Sequence, residues 1–337
     1  MNQLKAAVIG LGTIAPMHIN SLKAIGVPIT AVCDTHVEKA EKAARELGCA
    51  AFSKNIYMLA EADFDVLHIC LPHHLHAPAA IAALSHGKHV LCEKPMATTI
   101  EDAEKMISAA KENNKILGVI FQNRYSPGAT LIKTALESGE LGAVKGGWLR
   151  VTWNRPDSYY TESDWRGRWE TEGGGVLINQ SIHSFDMMNY FLGNPIAVDA
   201  AIANRAHPVI EVEDVAEGVI TYGDTKVSFF VNTFHPYDAP ASLEIICEKG
   251  RATLTGENAE VILADGTKKT AGADTEAQQR FGMKSYWGVS HIKQITAFYE
   301  ALASGRTPEI DGTEGLRTQR LIGGIYESAK TGQRVLL

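Results

Sequence analysis

The sequence predicts an α/β protein in which an N-terminal doubly wound parallel sheet precedes an α/β domain with a mainly antiparallel sheet. Three observations predict it. Residues 1–120 alternate strand-like and helical runs with little between them, and the strands are nearly continuous apolar segments, as a parallel sheet covered on both faces requires. Beyond Phe121 the rhythm changes to consecutive strand-like pieces joined by tight-turn signals, the pattern of an antiparallel sheet. The length, 337 residues, accommodates two domains at about 150 residues each, and the change of rhythm divides them into 1–122 and 123–337.

In order, the N-terminal strands are Leu4–Ile9, Ile29–Cys33, Val66–Leu71, His89–Cys92 and Ile116–Ile120. Helices between them include Met17–Ala24, Val37–Leu47, Pro78–His86 and Thr99–Asn113. Right-handed crossovers then place helices on both faces. A helix over Thr130–Ser138 leads into a strand over Val144–Trp153 and a Trp- and Arg-rich segment, Asn154–Glu170. Gly173-Gly174-Gly175 opens a helical run to about Phe191. Strands follow over Ala197–Asn204, Val215–Tyr222, Lys226–Asn232, Ser242–Glu248, Arg251–Thr255 and Glu260–Leu263, with Tyr222-Gly223-Asp224 and Lys249-Gly250 as hairpin turns. Polar, Gly- and Ala-rich residues 265–285 read as a loop. Ile292–Ala303 and Gly315–Lys330 read as closing helices, the second stopped by Gly332.

The balance of 32 Lys and Arg against 39 Asp and Glu gives a net charge of −7 with no basic run, which argues against nucleic acid and anionic membrane as partners. No apolar stretch approaches the ~18–20 residues of a membrane span. The apolar start Ala6–Ile14 lacks the basic leader and small-residue cleavage site of a signal peptide. Cys33, Cys49, Cys70, Cys92 and Cys247 form no CxxC pair and sit mostly in or near strands. Free buried thiols in a reducing cytoplasm are therefore expected rather than disulfides.

Gly10-Leu11-Gly12-Thr13-Ile14-Ala15 follows the first strand directly and opens a helix. In this GxGxxA pattern Gly10 permits a tight turn, Gly12 lets backbone approach a pyrophosphate, and Ala15 allows close helix–strand contact. The helix start, with Thr13 and Ile14, offers free N–H groups to phosphate. An ordinary glycine turn would share the pattern; Asp34 at the end of the second strand decides for a dinucleotide. Its carboxylate accepts both ribose hydroxyls of NAD and repels the 2′-phosphate of NADP, and Thr35 and His36 bring no Lys or Arg to relieve that repulsion. Asp34 is also placed to cap the helix near Val37, and one residue can do both.

Glu93-Lys94-Pro95 ends the strand His89–Cys92, at the carboxyl edge where open α/β sheets bind ligands. A Lys held there is partly desolvated and faces the cationic nicotinamide of NAD⁺. Both effects lower its pKa toward that of a proton acceptor. A solvated surface Lys is the ordinary alternative, but it would not need the backbone restraint of Pro95.

GxGxxA, Asp34, Glu93-Lys94-Pro95 and Gly173-Gly174-Gly175-Val176-Leu177-Ile178-Asn179-Gln180-Ser181-Ile182-His183-Ser184-Phe185-Asp186, in that order across nearly the whole chain, resemble the Gfo/Idh/MocA oxidoreductases. These act mostly on sugars, inositols and their derivatives. The resemblance implies a Rossmann domain followed by an α/β domain whose large, open, mainly antiparallel sheet often mediates homodimers or homotetramers. It implies NAD as cofactor and a carbohydrate or cyclitol as substrate. The family's EKP lysine maps onto Lys94, and its histidine at the end of the glycine segment maps onto His183. Many inositol and glucose dehydrogenases of the family carry Asp where Asn179 stands, and members with Asn there tend to act on other sugar derivatives. On a helix Asn179 and His183, at i and i+4, share one face. Asn hydrogen-bonds a hydroxyl but takes no proton, so acid–base work falls on Lys94 or His183.

The implied chemistry removes a proton from a ring carbinol while its C–H hydride moves to C4 of the nicotinamide. His183 either takes that proton, since imidazole titrates near neutral pH, or anchors the neighbouring hydroxyl. The loop Leu71-Pro72-His73, His76 at the start of the next helix, Glu93 and Gln122 join the cofactor residues. Asn123-Arg124-Tyr125, at the domain junction, is assigned to substrate. Trp153, Arg155, Tyr159, Tyr160, Trp165, Arg166, Arg168 and Trp169 suit the faces and hydroxyls of a sugar, and equally a dimer interface. By resemblance Trp165 and Arg166 approach cofactor or substrate, and Arg155 and Tyr286 are assigned to substrate. His73, His74 and His76, with Cys70 and Cys92, invite zinc, but strand alternation points the thiols away from a common tetrahedron, so no metal is expected. Two rival readings use the same residues: a glycoside-processing enzyme that oxidises transiently with held NAD⁺, and a non-catalytic NAD- or sugar-sensing module. A sensor needs neither Lys94 nor His183.

Overall fold

The computed structural model describes residues 4–272 and 290–337. The chain divides into two compact units, Met1–Phe121 with His291–Leu316, and Gln122–Ser290 with Arg317–Leu337. In the first unit β1 (Ala6–Ile9), β2 (Ile29–Cys33), β3 (Ala50–Phe52), β4 (Val66–Ile69), β5 (His89–Cys92) and β6 (Leu117–Val119) form a six-stranded sheet in the order β3-β2-β1-β4-β5-β6. Every neighbouring pair is parallel. Helices α1 (Ala15–Ala24), α2 (Val37–Leu47), α3 (Asn55–Glu61), α4 (His76–Ser85) and α5 (Ile100–Glu112) connect the strands. The strand order reverses at β1 and β4, so the carboxyl ends of these strands form the switch point at which such sheets take ligands. β1 and β4 are buried along their whole length, which is why β1 reads as an unbroken apolar run and β4 as one interrupted only by His68. β3 escapes a sequence reading because Ala50–Phe52 is only three residues long, a largely exposed edge strand directly after α2.

The second unit contains α6 (Pro127–Glu137), α7 (Asp157–Thr161), α8 (Trp169–Glu172) and α9 (Ile182–Leu192). Its strands are β7 (Val144–Thr152), β8 (Ala197–Ala203), β9 (Val215–Tyr222), β10 (Thr225–Asn232), β11 (Ser242–Cys247), β12 (Gly250–Thr255), β13 (Asn258–Leu263), β14 (Lys268–Ala271) and β15 (Val335–Leu336). They form a nine-stranded sheet, β14-β13-β12-β11-β7-β10-β9-β8-β15. Among the described residues its neighbours are antiparallel except for the parallel pair β7 and β10. α9 packs on one face, with Phe185 edge-on to Phe229 of β10 at 5.2 Å.

Two expectations are corrected here. The polar stretch after 265, read as a loop, contributes the edge strand β14, held to β13 by backbone pairing despite its charged side chains. The glycine triplet does not open a helix: residues 173–181 are turns and bends, and α9 starts only at Ile182. Gly173 and Gly174, at φ 83° and 145°, hold backbone conformations no helix allows. Asn179 therefore precedes the helix that carries His183, and the two do not share a helical face.

α10 (Ser290–Ala303) and α11 (Gly312–Thr331) follow. Apart from Ser290, α10 belongs to the first unit, where Phe298 covers Gly118 of β6; a Cβ at Gly118 would lie 2.7 Å from that ring. Gln294 donates to the Val119 carbonyl at 2.7 Å and accepts from the Phe121 amide at 3.0 Å. Ile310 and Asp311 add backbone pairing to Val119 and Gly118. The edge strand β6 is thereby covered. The units are consequently not the consecutive segments 1–122 and 123–337, because His291–Leu316 packs with the parallel sheet. All five cysteines are free, four of them buried and Cys49 half-buried. No helix among the described residues is long and apolar enough to cross a membrane.

Candidate active site

The cofactor motif lies at the carboxyl ends of β1 and β2. Gly10 has φ 83°, and a Cβ there would lie 2.5 Å from the Cys70 carbonyl, so only glycine lets the loop turn this close to β4. A Cβ at Gly12 would meet nothing within 4 Å, which leaves open space for a ligand to approach that backbone. Thr13 is exposed and Ile14 half-buried at the start of α1. Asp34 Oδ2 accepts from the Leu11 amide at 2.9 Å, and Oδ1 accepts from the His36 amide at 2.8 Å. The His36 ring nitrogen Nδ1 lies 3.1 Å from the same oxygen. Burial pushes the Asp34 pKa up, but these hydrogen bonds outweigh it and hold the carboxyl below its ordinary range. Asp34 is thus an anchored carboxylate tying the glycine loop to β2, and spare lone pairs remain for ribose hydroxyls. These residues fit a dinucleotide.

Leu71 and Pro72 are half-buried beyond β4, and His73 is buried in a single 3₁₀ turn, His73–Leu75. His76, assigned to the cofactor, is fully buried, with Nδ1 2.7 Å from the Pro95 carbonyl and Nε2 2.7 Å from the Leu71 carbonyl. Both ring nitrogens face backbone, so His76 braces two loops and presents no ring nitrogen to a ligand. Lys94 is half-buried between the buried Glu93 and Pro95, and its amide donates to Glu93 Oε2 at 3.3 Å.

Behind Lys94 lies a buried polar network that the sequence reading missed. Glu93 Oε1 is 2.9 Å from His18 Nε2 and 3.5 Å from His291 Nε2. His18 Nδ1 meets His68 Nδ1 at 2.8 Å, and His68 Nε2 meets the Tyr299 hydroxyl at 2.9 Å. Burial disfavours charge on His18, but contacts with Cys70 and Glu93 push its pKa up to about 10. Burial likewise opposes ionisation of Glu93, but hydrogen bonds from His18 and His291 hold it well below the carboxylate range. Burial, with His18 beside it, keeps His68 neutral. The proton arrangement follows: a charged His18 donates at both nitrogens, so His68 accepts at Nδ1 and donates to Tyr299. The available signal was a histidine at position 68 inside an apolar strand and another on the buried side of α1. Each needs an internal partner.

In the second unit the predicted residues gather around Tyr159. The Arg166 guanidinium lies 4.3 Å from that ring and 4.9 Å from the Trp165 ring. Arg155 lies 5.4 Å from the Tyr159 ring and pairs with Asp238 at 3.0 Å. Asn179 Nδ2 donates to the Tyr159 hydroxyl at 3.3 Å and to Glu172 Oε1 at 2.5 Å. Among residues 174–183 all are buried except Asn179 and His183, the two assigned to chemistry. Two carboxylates hold this turn. Glu213 accepts from the Gly175 amide at 2.9 Å, the Leu177 amide at 3.0 Å and the Tyr326 hydroxyl at 2.9 Å. Burial pushes both Glu172 and Glu213 up to about 7.

Arg124, assigned to substrate, is instead buried and forks onto Asp186, Nε to Oδ2 at 2.8 Å and Nη2 to Oδ1 at 2.6 Å. That pairing uses the geometry a substrate carboxylate would need. Gln122 is buried beside it in the 3₁₀ turn Gln122–Tyr125, and Asn123 and Tyr125 are half-buried. Tyr286 lies outside the described residues. No group of three or more His, Cys, Asp or Glu among the described residues is arranged to hold a metal.

Residues 4–121 match the model of the oxidoreductase family with an NAD-binding Rossmann fold, Gfo/Idh/MocA, and residues 130–253 match that family's C-terminal domain. The fold is similar to that of the WlbA dehydrogenase of Bordetella pertussis, solved in complex with NADH and UDP-GlcNAcA. The TM-score is 0.87 at 30% identity, covering 100% of this chain and 99% of that one. The chain is 26% identical over 330 residues to the 1,5-anhydro-D-fructose reductase of Ensifer adhaerens, covering 97% of this chain and 96% of the relative. It is also 26% identical over 334 residues to the myo-inositol 2-dehydrogenase of Thermotoga maritima, with coverage of 93% and 92%. Matched from end to end in this way, the chain belongs to the Gfo/Idh/MocA oxidoreductase family, as its four motifs imply.

Proposed function

We propose that this chain is an NAD-dependent oxidoreductase that exchanges a hydride between a secondary ring hydroxyl of a sugar, cyclitol or sugar derivative and nicotinamide. The observation that carries the cofactor choice is the anchored, ionised Asp34 beside an open Gly12, with no Lys or Arg at the two following positions. Gly10 to Ile14, Asp34, Leu71 and Pro72 would hold the dinucleotide. When bound, NAD supplies the hydride acceptor. The reading requires Lys94 and His183 to meet one nicotinamide face, where the amine or the imidazole takes the hydroxyl proton. Asn179, Trp165 and Arg166 then orient the ring. The redox names of the full-length relatives, a reductase and a dehydrogenase, support the reaction class.

Free thiols suit a reducing cytoplasm, and the face of the nine-stranded sheet away from α9 is the surface through which the chain would form homodimers or homotetramers.

The test is a screen of NAD⁺ reduction over inositols, aldoses, uronates and glycosides, with NADP⁺ in parallel. NADH should accumulate with at least one class and NADP⁺ should be the poorer oxidant. Lys94→Ala should keep NADH binding and abolish turnover; an unchanged rate removes Lys94 from the mechanism. Product without net NADH would replace the proposal by transient oxidation.

A further inference from the structure

Two guanidinium groups flank one aromatic ring in the second unit. Tyr159, half-buried on α7, has Arg166 at 4.3 Å and Arg155 at 5.4 Å from its ring centre. Like charges gathered this closely repel, the more so where water is partly excluded. Arg155 has its counter-charge. Its Nη1 donates to Asp238 Oδ1 at 3.0 Å and to the Asn154 carbonyl at 2.5 Å, and the Asn154 amide fixes Asp238 in turn at 2.8 Å. Arg166 has none. Its backbone amide donates to Ser163 Oγ at 3.4 Å, but its guanidinium makes no ion pair and no hydrogen bond among the described residues. Glu172 feels the Arg166 charge without pairing with it. The acids Asp157, Glu162, Asp164 and Glu170 of the same segment are exposed and pair with neither guanidinium.

An arginine on the open surface gives its five N–H groups to water. This one stands beside two rings, Tyr159 and Trp165, the latter at 4.9 Å, and its Nε is covered without an acceptor. Nη1 and Nη2 are not among the covered atoms, so the outer edge of the group is open. A covered charged donor with no partner is costly and calls for one. The partner that suits a planar fork of N–H donors is an oxyanion, and the neighbouring rings limit the freedom lost when it docks. We infer that Arg166, with Arg155 beside it, forms an oxyanion subsite, so that the carbohydrate or cyclitol this chain takes carries a carboxylate or a phosphate. The inference rests on the reading that this cluster meets the substrate, and it narrows the substrate class. A neutral sugar leaves Arg166 unpaired, whereas an oxyanion satisfies its donors and offsets the repulsion between the two guanidinium groups.

The experiment compares D-glucose with D-glucuronate, which adds a carboxylate, and with α-D-glucose 1-phosphate, which adds a phosphate. KM for NAD⁺ reduction is read beside the dissociation constant from tryptophan fluorescence in the presence of NADH. At least one anionic sugar should bind about tenfold or more tightly than D-glucose, and the one that does tells carboxylate from phosphate. Added salt should erode that preference and leave D-glucose unmoved. Arg166→Gln should abolish the preference while the dissociation constant of NADH stays at the wild-type value. Arg166→Lys, which keeps the charge and loses the fork, should fall between. Equal affinity for all three sugars, or a preference that R166Q retains, overturns the inference. So does an R166Q protein with weakened NADH binding, because Arg166 then serves the dinucleotide. Turnover of a neutral inositol or aldose without any such preference removes the inference alone, whereas no NAD⁺ reduction with any sugar removes the reading beneath it as well. Thermal melting checks that each variant folds. Where R166Q does not, the wild type decides: a preference for the anion that salt leaves intact overturns the inference.

Discussion

A carboxylate is stable in a protein interior only when it is neutralised and hydrogen-bonded, and Glu93 meets both conditions through His18 at 2.9 Å. The His18 pKa rises from 6.5 to about 10 on folding, so its contribution to stability is fully present below about 6.5 and is lost as pH rises through about 10. Glu93 shifts the other way, well below 4.5; its contribution is present above that value and is lost as pH falls through the lowered pKa. The pair therefore stabilises the first unit across the neutral range. Glu93→Gln should lower stability by about 3 kcal/mol, because it leaves the imidazolium without its counter-charge. Urea unfolding at neutral pH checks this, and a loss within the ~0–1 kcal/mol of an exposed pair would mean the site is solvated. Local sequence gives no sign of this pair, since Glu93 lies 75 residues from His18 and looks like any acid beside a strand end.

The turn over residues 173–181 is the element that carries Asn179 and leads into α9, and buried groups hold it rather than helical hydrogen bonds. A Cβ at Gly175 would lie 1.9 Å from the Glu213 carbonyl, which is backbone and cannot swing aside. Gly175→Ala should push the turn off Glu213, weaken the two amide hydrogen bonds that the carboxylate accepts, and cost about 3 kcal/mol or more. The measurement is thermal melting alongside turnover, with both expected to fall; a variant that melts like the wild type would show that the backbone gives way freely. The same segment explains one sequence error. Val176, Leu177, Ile178 and Ile182 carry helix-like apolar spacing, but the glycine torsions and a carboxylate 36 residues away decide the backbone. By contrast the strands β1, β2, β4 and β5 and the helices after them were legible, because each buries an apolar run that its own sequence displays. Glu172 was not, since nothing in Trp169-Glu170-Thr171-Glu172 separates a buried glutamate from its exposed neighbour Glu170.

Over the whole molecule, the return of α10 to the parallel sheet was unreadable because it depends on Gln294 meeting Phe121 across 173 residues. The alternation along the second sheet, in contrast, is plain in sequence and has a consequence for assembly. Leu149, Val151, Val227, Phe229, Val231 and Ile245 are buried, so the alternate residues of β7, β10 and β11 stand on the opposite face. There the register sets Phe230 opposite Arg150 and Glu217, and Trp148 opposite Ser228 and Glu244. Phe230 is 40% exposed and Ile246 44% exposed. An aromatic and aliphatic patch threaded with Arg and Glu has the composition of a protein interface. Self-association through this face should therefore be sensitive to one charge at its middle. Phe230→Asp, which changes an exposed side chain and leaves the buried alternates intact, should shift the mass in sedimentation velocity from dimer or tetramer to monomer without lowering the melting temperature of the monomeric fold. A wild-type chain that sediments as a monomer, or a variant that keeps the wild-type mass, would assign this face to solvent.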